Sequence, residues 1–127
     1  MNCRMVLAML AGVGVGALAV ERIHAQTKPP AYYVVEIDAK NEDVFSKEWA
    51  PKADQTIKDA GGTYLVRSTT VEQIEGAAPK RILTSKWDNI DKLTTWRLSE
   101  AYMRTLPILD KAVRGGSVRS YVVEGIN

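Results

Sequence analysis

The chain predicts one small α+β domain, with elements in the order β-α-β-β-α-β, preceded by a segment removed on export. The domain expectation rests first on runs rich in valine, tyrosine and isoleucine that open and close it. It rests equally on two stretches with apolar residues at helical spacing, each closed by a double glycine, Gly61-Gly62 and Gly115-Gly116.

Residues 1–25 read as a signal peptide. A basic start at Arg4 leads into an apolar run from Met5 to Val20, then a polar stretch from Glu21 to Gln26, with Ala25 as the small residue before the cut. The run is shorter than the roughly 20 residues that span a bilayer and contains Gly12, Gly14 and Gly16. A periplasmic or secreted protein with no stable membrane span is therefore expected. Ile23 is larger than cleavage sites prefer, which leaves an N-terminally anchored form as the alternative. Cys3 precedes the apolar run instead of following it, against a lipoprotein. The chain's one cysteine, Cys3, and its one histidine, His24, leave with this segment, so His24 is a cleavage-region residue and not a ligand.

Residues 26–30 form an extended lead-in to a domain over 31–127. The first strand, Tyr32 to Asp38, places Tyr33, Val35 and Ile37 on a face that meets helices. Asn41-Glu42-Asp43 supplies capping oxygens and negative charge to a helix in which Phe45, Trp49, Ala53, Ile57 and Ala60 recur at helical spacing. Pro51 removes a backbone donor inside it, which predicts a bend or break near Trp49-Ala50-Pro51. The next strand is Thr63 to Arg67, with an extension through a bulge to Val71–Glu75. After the turn Gly76-Ala77-Ala78-Pro79, Lys80 to Trp87 is its antiparallel partner. Asp88-Asn89 starts a short helix through Trp96. Ser99 caps a second segment, with Tyr102, Leu106, Leu109 and Val113 as its stripe and Pro107 as a kink. Ser117 to Glu124 is the last strand.

That order is the split βαβ of ferredoxin-like domains: a four-stranded antiparallel sheet with both helices on one face. The other face is left uncovered. Tyr32, Val34, Leu83, Val118 and Val122 are its candidate residues, and a homodimer packed sheet to sheet would bury them.

The formal net charge is +2, and loss of Arg4, Arg22 and Glu21 with the signal peptide brings it closer to neutral. Acidic and basic residues alternate without a basic block, so nucleic acid is not an expected partner. With no histidine or cysteine left, a Ser-His-Asp triad, a thiolate nucleophile, a zinc site of the usual N/S type and a histidine-ligated haem are excluded. Asp38, Glu42 and Asp43 read as strand-end and helix-start charges, and Gly61-Gly62 ends a helix instead of opening a phosphate loop. No metal and no cofactor is predicted.

The runs Ala31-Tyr32-Tyr33-Val34-Val35-Glu36, Trp49-Ala50-Pro51, Gly61 to Arg67, Ser99-Glu100-Ala101-Tyr102 and Arg119 to Gly125, in this order and spacing, resemble the DUF 1330 family, a domain of unknown function. The resemblance covers essentially the whole domain. It implies a dimeric α+β barrel, the architecture of small monooxygenases of antibiotic biosynthesis and of muconolactone isomerases, and no established reaction. The chain departs from the family pattern in Trp49, where a tyrosine commonly precedes Ala-Pro, and in Asp88-Asn89, where many members have a phenylalanine and a small residue or proline.

The candidate ligand-binding residues are Arg67, Tyr64, Trp87, Tyr102, Arg119 and Glu36. Arginine can clamp a carboxylate or phenolate, and tyrosine or tryptophan can wall a flat apolar pocket. Each also has a plainer role: a surface salt bridge for Arg67, a core aromatic with a wet hydroxyl for Tyr64 and Tyr102, packing for Trp49, Trp87 and Trp96, and a cross-sheet ion pair for Arg119 and Glu36. The working expectation is a small aromatic or carboxylic ligand held in a pocket between sheet and helices. The alternatives are a cofactor-independent monooxygenase- or isomerase-like enzyme and a non-catalytic protein-interaction module.

Overall fold

A computed structural model describes residues 28–127; the predicted signal peptide and its cleavage point lie outside them. The chain forms β1 (Ala31–Asp38), a π-helical segment (Val44–Trp49), α1 (Ala50–Asp59), β2 (Thr63–Ser68), β3 (Arg81–Trp87), α2 (Ile90–Arg97), α3 (Glu100–Met103), α4 (Leu106–Val113) and β4 (Ser117–Glu124). The sheet order is β2-β3-β1-β4, with every neighbouring pair antiparallel. This is the expected ferredoxin-like α+β fold. Among the described residues no helix is long and apolar enough to cross a membrane.

The alternation of β1 fixes the two faces. Ala31, Tyr33, Val35 and Ile37 are buried against the helices, and Tyr32, Val34, Glu36 and Asp38 lie on the outer face. Residues opposite one another in a ladder share a face. Leu83 pairs with Val35, Val118 with Ile37 and Val122 with Tyr33, so these three lie on the helix side and not, as expected, on the outer one. Tyr32 and Val34 are on the outer face, joined there by Ile82, Thr84, Tyr121 and Val123. The expectation placed β3 and β4 one residue out of phase with β1, which inverts every side chain.

The bend anticipated near Pro51 is a π-helical turn. The Ala50 N–H donates to the Phe45 carbonyl five residues back. Pro51 has no N–H to donate, and its ring would crowd the carbonyl of Lys47 in a regular α-turn; the wider turn avoids that contact. Asn41 caps the start by accepting from the Val44 N–H at 3.1 Å. Ala60, expected in the apolar stripe, is exposed.

β2 ends at Ser68, and the extension to Val71–Glu75 is not formed. Its last pairing is Ser68 with Ile82, and no strand continues the ladder beyond it. A bulge does occur, but inside the strand, between Tyr64 and Val66. Asn89 caps α2 by accepting from the Lys92 N–H at 3.0 Å, and Ser99 caps α3 by accepting from Tyr102 N–H at 3.3 Å. Pro107 does not kink a helix. The chain breaks at Arg104-Thr105, and Pro107 falls in the first turn of α4, where an N–H has no helical acceptor to lose.

Aromatic rings fill the layer between sheet and helices. Trp96 packs on Trp87 at 4.9 Å, on Tyr102 at 4.2 Å and edge-on to Tyr33 at 5.5 Å between ring centroids. Gly62 lets the chain pass against Trp87: a Cβ there would lie 2.5 Å from its ring.

Candidate functional site

A cleft of about 400 Å³ opens at the β2 edge of the sheet, between β2–β3 and the junction of the π-helical segment with α1. Tyr64 and Arg67 both face it. Three residues apart on a regular strand, they would point to opposite faces. The bulge between Tyr64 and Val66 adds the residue that restores phase, so Tyr64 pairs with Ser85 and Arg67 with Leu83, both on the helix side.

Each guanidinium in the cleft is held twice. Arg67 forms an ion pair with Asp54 of α1 and lies over the Tyr64 ring at 4.8 Å. Arg81 donates to both carboxylate oxygens of Glu42, at 3.2 and 2.7 Å, and lies over the Phe45 ring at 4.0 Å. Carboxylate and ring hold each planar fork in one orientation. Burial, and then the Asp54 charge beside it, raise the pKa of the Tyr64 phenol well above the usual tyrosine value. It stays a neutral hydroxyl through the physiological range.

Trp49 forms the cleft's inner wall and is 4% exposed. Its indole Nε1–H is buried with no hydrogen-bond partner among the described residues. The other two indoles are satisfied: Trp87 donates to the Ser85 hydroxyl and Trp96 to the Thr56 hydroxyl, each at 3.0 Å. Trp49, Tyr64 and Leu83 also border a void of about 30 Å³ in the core, which Tyr33, Trp96 and Tyr102 help to close.

The model of the DUF1330 family, a domain of unknown function, matches residues 30–126. The chain belongs to that family. No curated protein matches it. Among solved structures, the DUF1330 domain is similar to a protein of unknown function from Rhodopseudomonas palustris, with a TM-score of 0.66 at 7% identity over 86% of this chain and 92% of that one. It is similar to a proposed antibiotic biosynthesis monooxygenase from Nitrosomonas europaea, with a TM-score of 0.56 at 12% identity over 78% and 92% of the two chains. A conserved protein from Methanosarcina mazei gives 0.51 at 14% identity over 79% and 96%. At such identities these likenesses establish the fold and leave function to the site.

Of the six residues singled out from sequence, the DUF1330 domain brings Tyr64 and Arg67 together at the cleft. Trp87 is 1% exposed and packs in the core, away from it. Tyr102 borders the small void and not the cleft; burial, then the neighbouring Tyr33, raises its pKa well above the usual tyrosine value. Glu36 and Arg119 face each other across β1 and β4 on the outer side of the sheet. Glu36 accepts there from the Tyr121 hydroxyl at 3.1 Å, and among the described residues it makes no ion pair with Arg119. Sequence reasoning missed Asp54, Phe45 and Arg81 as cleft residues and read Trp49 as packing. Asp54 follows Ala53 at the edge of the Trp49–Ala53–Ile57 stripe, and Arg81 shares the alternation of Leu83; those positions were the available signal.

Proposed function

We propose that this DUF1330 domain binds a small aromatic molecule carrying a carboxylate or comparable anionic group, in the cleft at the β2 edge. The observation that carries this is Arg67, stacked on Tyr64 and paired with a carboxylate, Asp54, that is itself partly exposed and open to exchange. A ligand carboxylate takes the place of Asp54 on the guanidinium while its ring lies along Tyr64, Trp49 and Phe45. Binding is favoured over turnover because, among the described residues, the one carboxylate lining the cleft is held by arginine and the phenol stays protonated.

In this reading residues 1–25 direct export, and the domain works as a homodimer through its outer sheet face. Export is checked by cell fractionation with intact mass: a chain beginning at Gln26 in the periplasm supports it, one retaining Met1 in the membrane fraction points to the anchored form, and one retaining Met1 in the cytoplasm sinks it. Binding is tested by calorimetric titration with 2-naphthoate. Arg67→Ala should weaken that binding about tenfold or more while leaving the melting temperature nearly unchanged, since an exposed ion pair adds little stability. Equal affinity in parent and variant would take Arg67 out of the site.

A further inference from the structure

The cleft reading leaves one donor without a purpose. A buried N–H with no acceptor is costly in a native fold, and such groups are uncommon. The indole N–H of Trp49 is one, while both other indoles in the domain find hydroxyl acceptors. Trp49 borders two spaces, the cleft and the small core void, and either can supply a non-protein acceptor. The void, at about 30 Å³, has room for a water and nothing larger. The cleft, at about 400 Å³, has room for a two-ring molecule.

We infer that the Trp49 indole N–H is the inner hydrogen-bond donor of the binding site, and that the ligand is an aromatic carboxylate bearing a second acceptor, a ring nitrogen or carbonyl oxygen, on the edge remote from its carboxylate. The inference rests on the cleft being a ligand site. Arg67 at the mouth takes the charge; Trp49 at the inner wall reads the far edge of the ring.

The N–H is closed off from solvent, and beside Trp49 both Tyr64 and Leu83 line cleft and void alike, so a ligand in the cleft reaches the N–H when one of these two gives way. Leu83 is held on the inner strand β3, between two neighbours. Tyr64 lies on the edge strand β2, beside the bulge, where ladder pairing is interrupted. Tyr64 is the wall that moves, and the ligand's inner edge takes the space it leaves. An aromatic acid without the second acceptor leaves the donor unsatisfied, which is the arrangement that gives a polar site its selectivity against isosteres.

The experiment compares molecules of one shape. Quinoline-6-carboxylate and quinoline-7-carboxylate differ from 2-naphthoate by a ring nitrogen in place of a C–H, and all three are titrated into the protein near pH 7.5, where the ring nitrogen is neutral. At least one quinoline should bind about fivefold or more tighter than 2-naphthoate. Trp49→Phe should erase that preference, read as the ratio of quinoline to 2-naphthoate affinity within the variant, whatever the smaller ring does to the affinity for all three acids. Independently of any variant, a ¹⁵N–¹H spectrum of the parent shows its indole N–H groups directly. One of them should move downfield with the preferred quinoline and stay in place with 2-naphthoate. Tight 2-naphthoate binding with no quinoline preference and no indole shift overturns the role of Trp49 while leaving the cleft reading intact. Failure of all three acids to bind removes the cleft reading and this inference together.

Discussion

Asp54 and Arg67 illustrate how one residue can set the affinity of a site without touching its ligand. Asp54 occupies the guanidinium that a ligand carboxylate needs, so it competes with that ligand. Asp54→Asn keeps the shape and removes the competing charge. Affinity for 2-naphthoate should rise several-fold, opposite in sign to Arg67→Ala, and calorimetry on the two variants reads both directions; a fall in the Asn variant would mean that Asp54 positions Arg67 instead of masking it. The tyrosines give a second prediction at this scale. An unfolded tyrosine ionises near pH 10, whereas Tyr64 and Tyr102 are shifted upward, by burial above all. Above pH 10 the unfolded chain therefore binds fewer protons than the native one, and stability falls as pH rises. Ultraviolet titration should show these phenols ionising late, with the midpoint of urea unfolding dropping over the same range. Loss of all tyrosine protons together near pH 10, with the fold intact, would contradict the burial of both rings.

Among the elements, β4 matched the sequence expectation to the residue, because Val118, Tyr121, Val122 and Val123 are concentrated between two glycine stops, Gly116 and Gly125. The caps at Asn89 and Ser99 were equally legible, since a short polar side chain ahead of a helical stretch has one obvious use. β2 was not. Its bulge depends on how Thr63–Ser68 meets β3, a long-range pairing that leaves no mark in local composition, and the phase of Arg67 depends on that bulge. The π-helical turn was visible only as a proline in the wrong place. Gly62 shows the same dependence on a distant partner. Local sequence marks it as a helix terminator, yet its lack of a side chain also matters to β3, because a Cβ would meet the buried Trp87 ring at 2.5 to 2.8 Å. Gly62→Ala should cost about 1–3 kcal/mol of unfolding free energy, read from denaturant midpoints. A variant as stable as the parent would show that Trp87 can shift despite its burial.

For the molecule as a whole, the sequence disclosed the layer arrangement and two residues of the cleft, Tyr64 and Arg67. Tyr64 and Arg67 could be chosen by residue type alone. Asp54 and Arg81 needed the β3–β2 register and the packing of α1 across it, which arise only when distant segments meet. The same limit inverted the outer face, where Leu83, Val118 and Val122 gave place to Ile82, Tyr121 and Val123. The corrected face keeps the property that suggested a dimer. Val34 lies at its centre, between Thr84 of β3 and Tyr121 of β4, with Tyr121 44% and Val123 45% exposed. An apolar strip on a sheet with helices on one side only is stabilised by a second copy of itself, and a two-fold pairing satisfies both copies with one surface. Sedimentation equilibrium of the mature domain should therefore give twice the monomer mass. Val34→Glu places a charge at the centre of the strip, where two copies would bring like charges together, and should yield a folded monomer with an unchanged far-ultraviolet circular dichroism spectrum. A parent already monomeric at tens of micromolar, or a Val34→Glu variant that remains dimeric, would exclude this face as the interface.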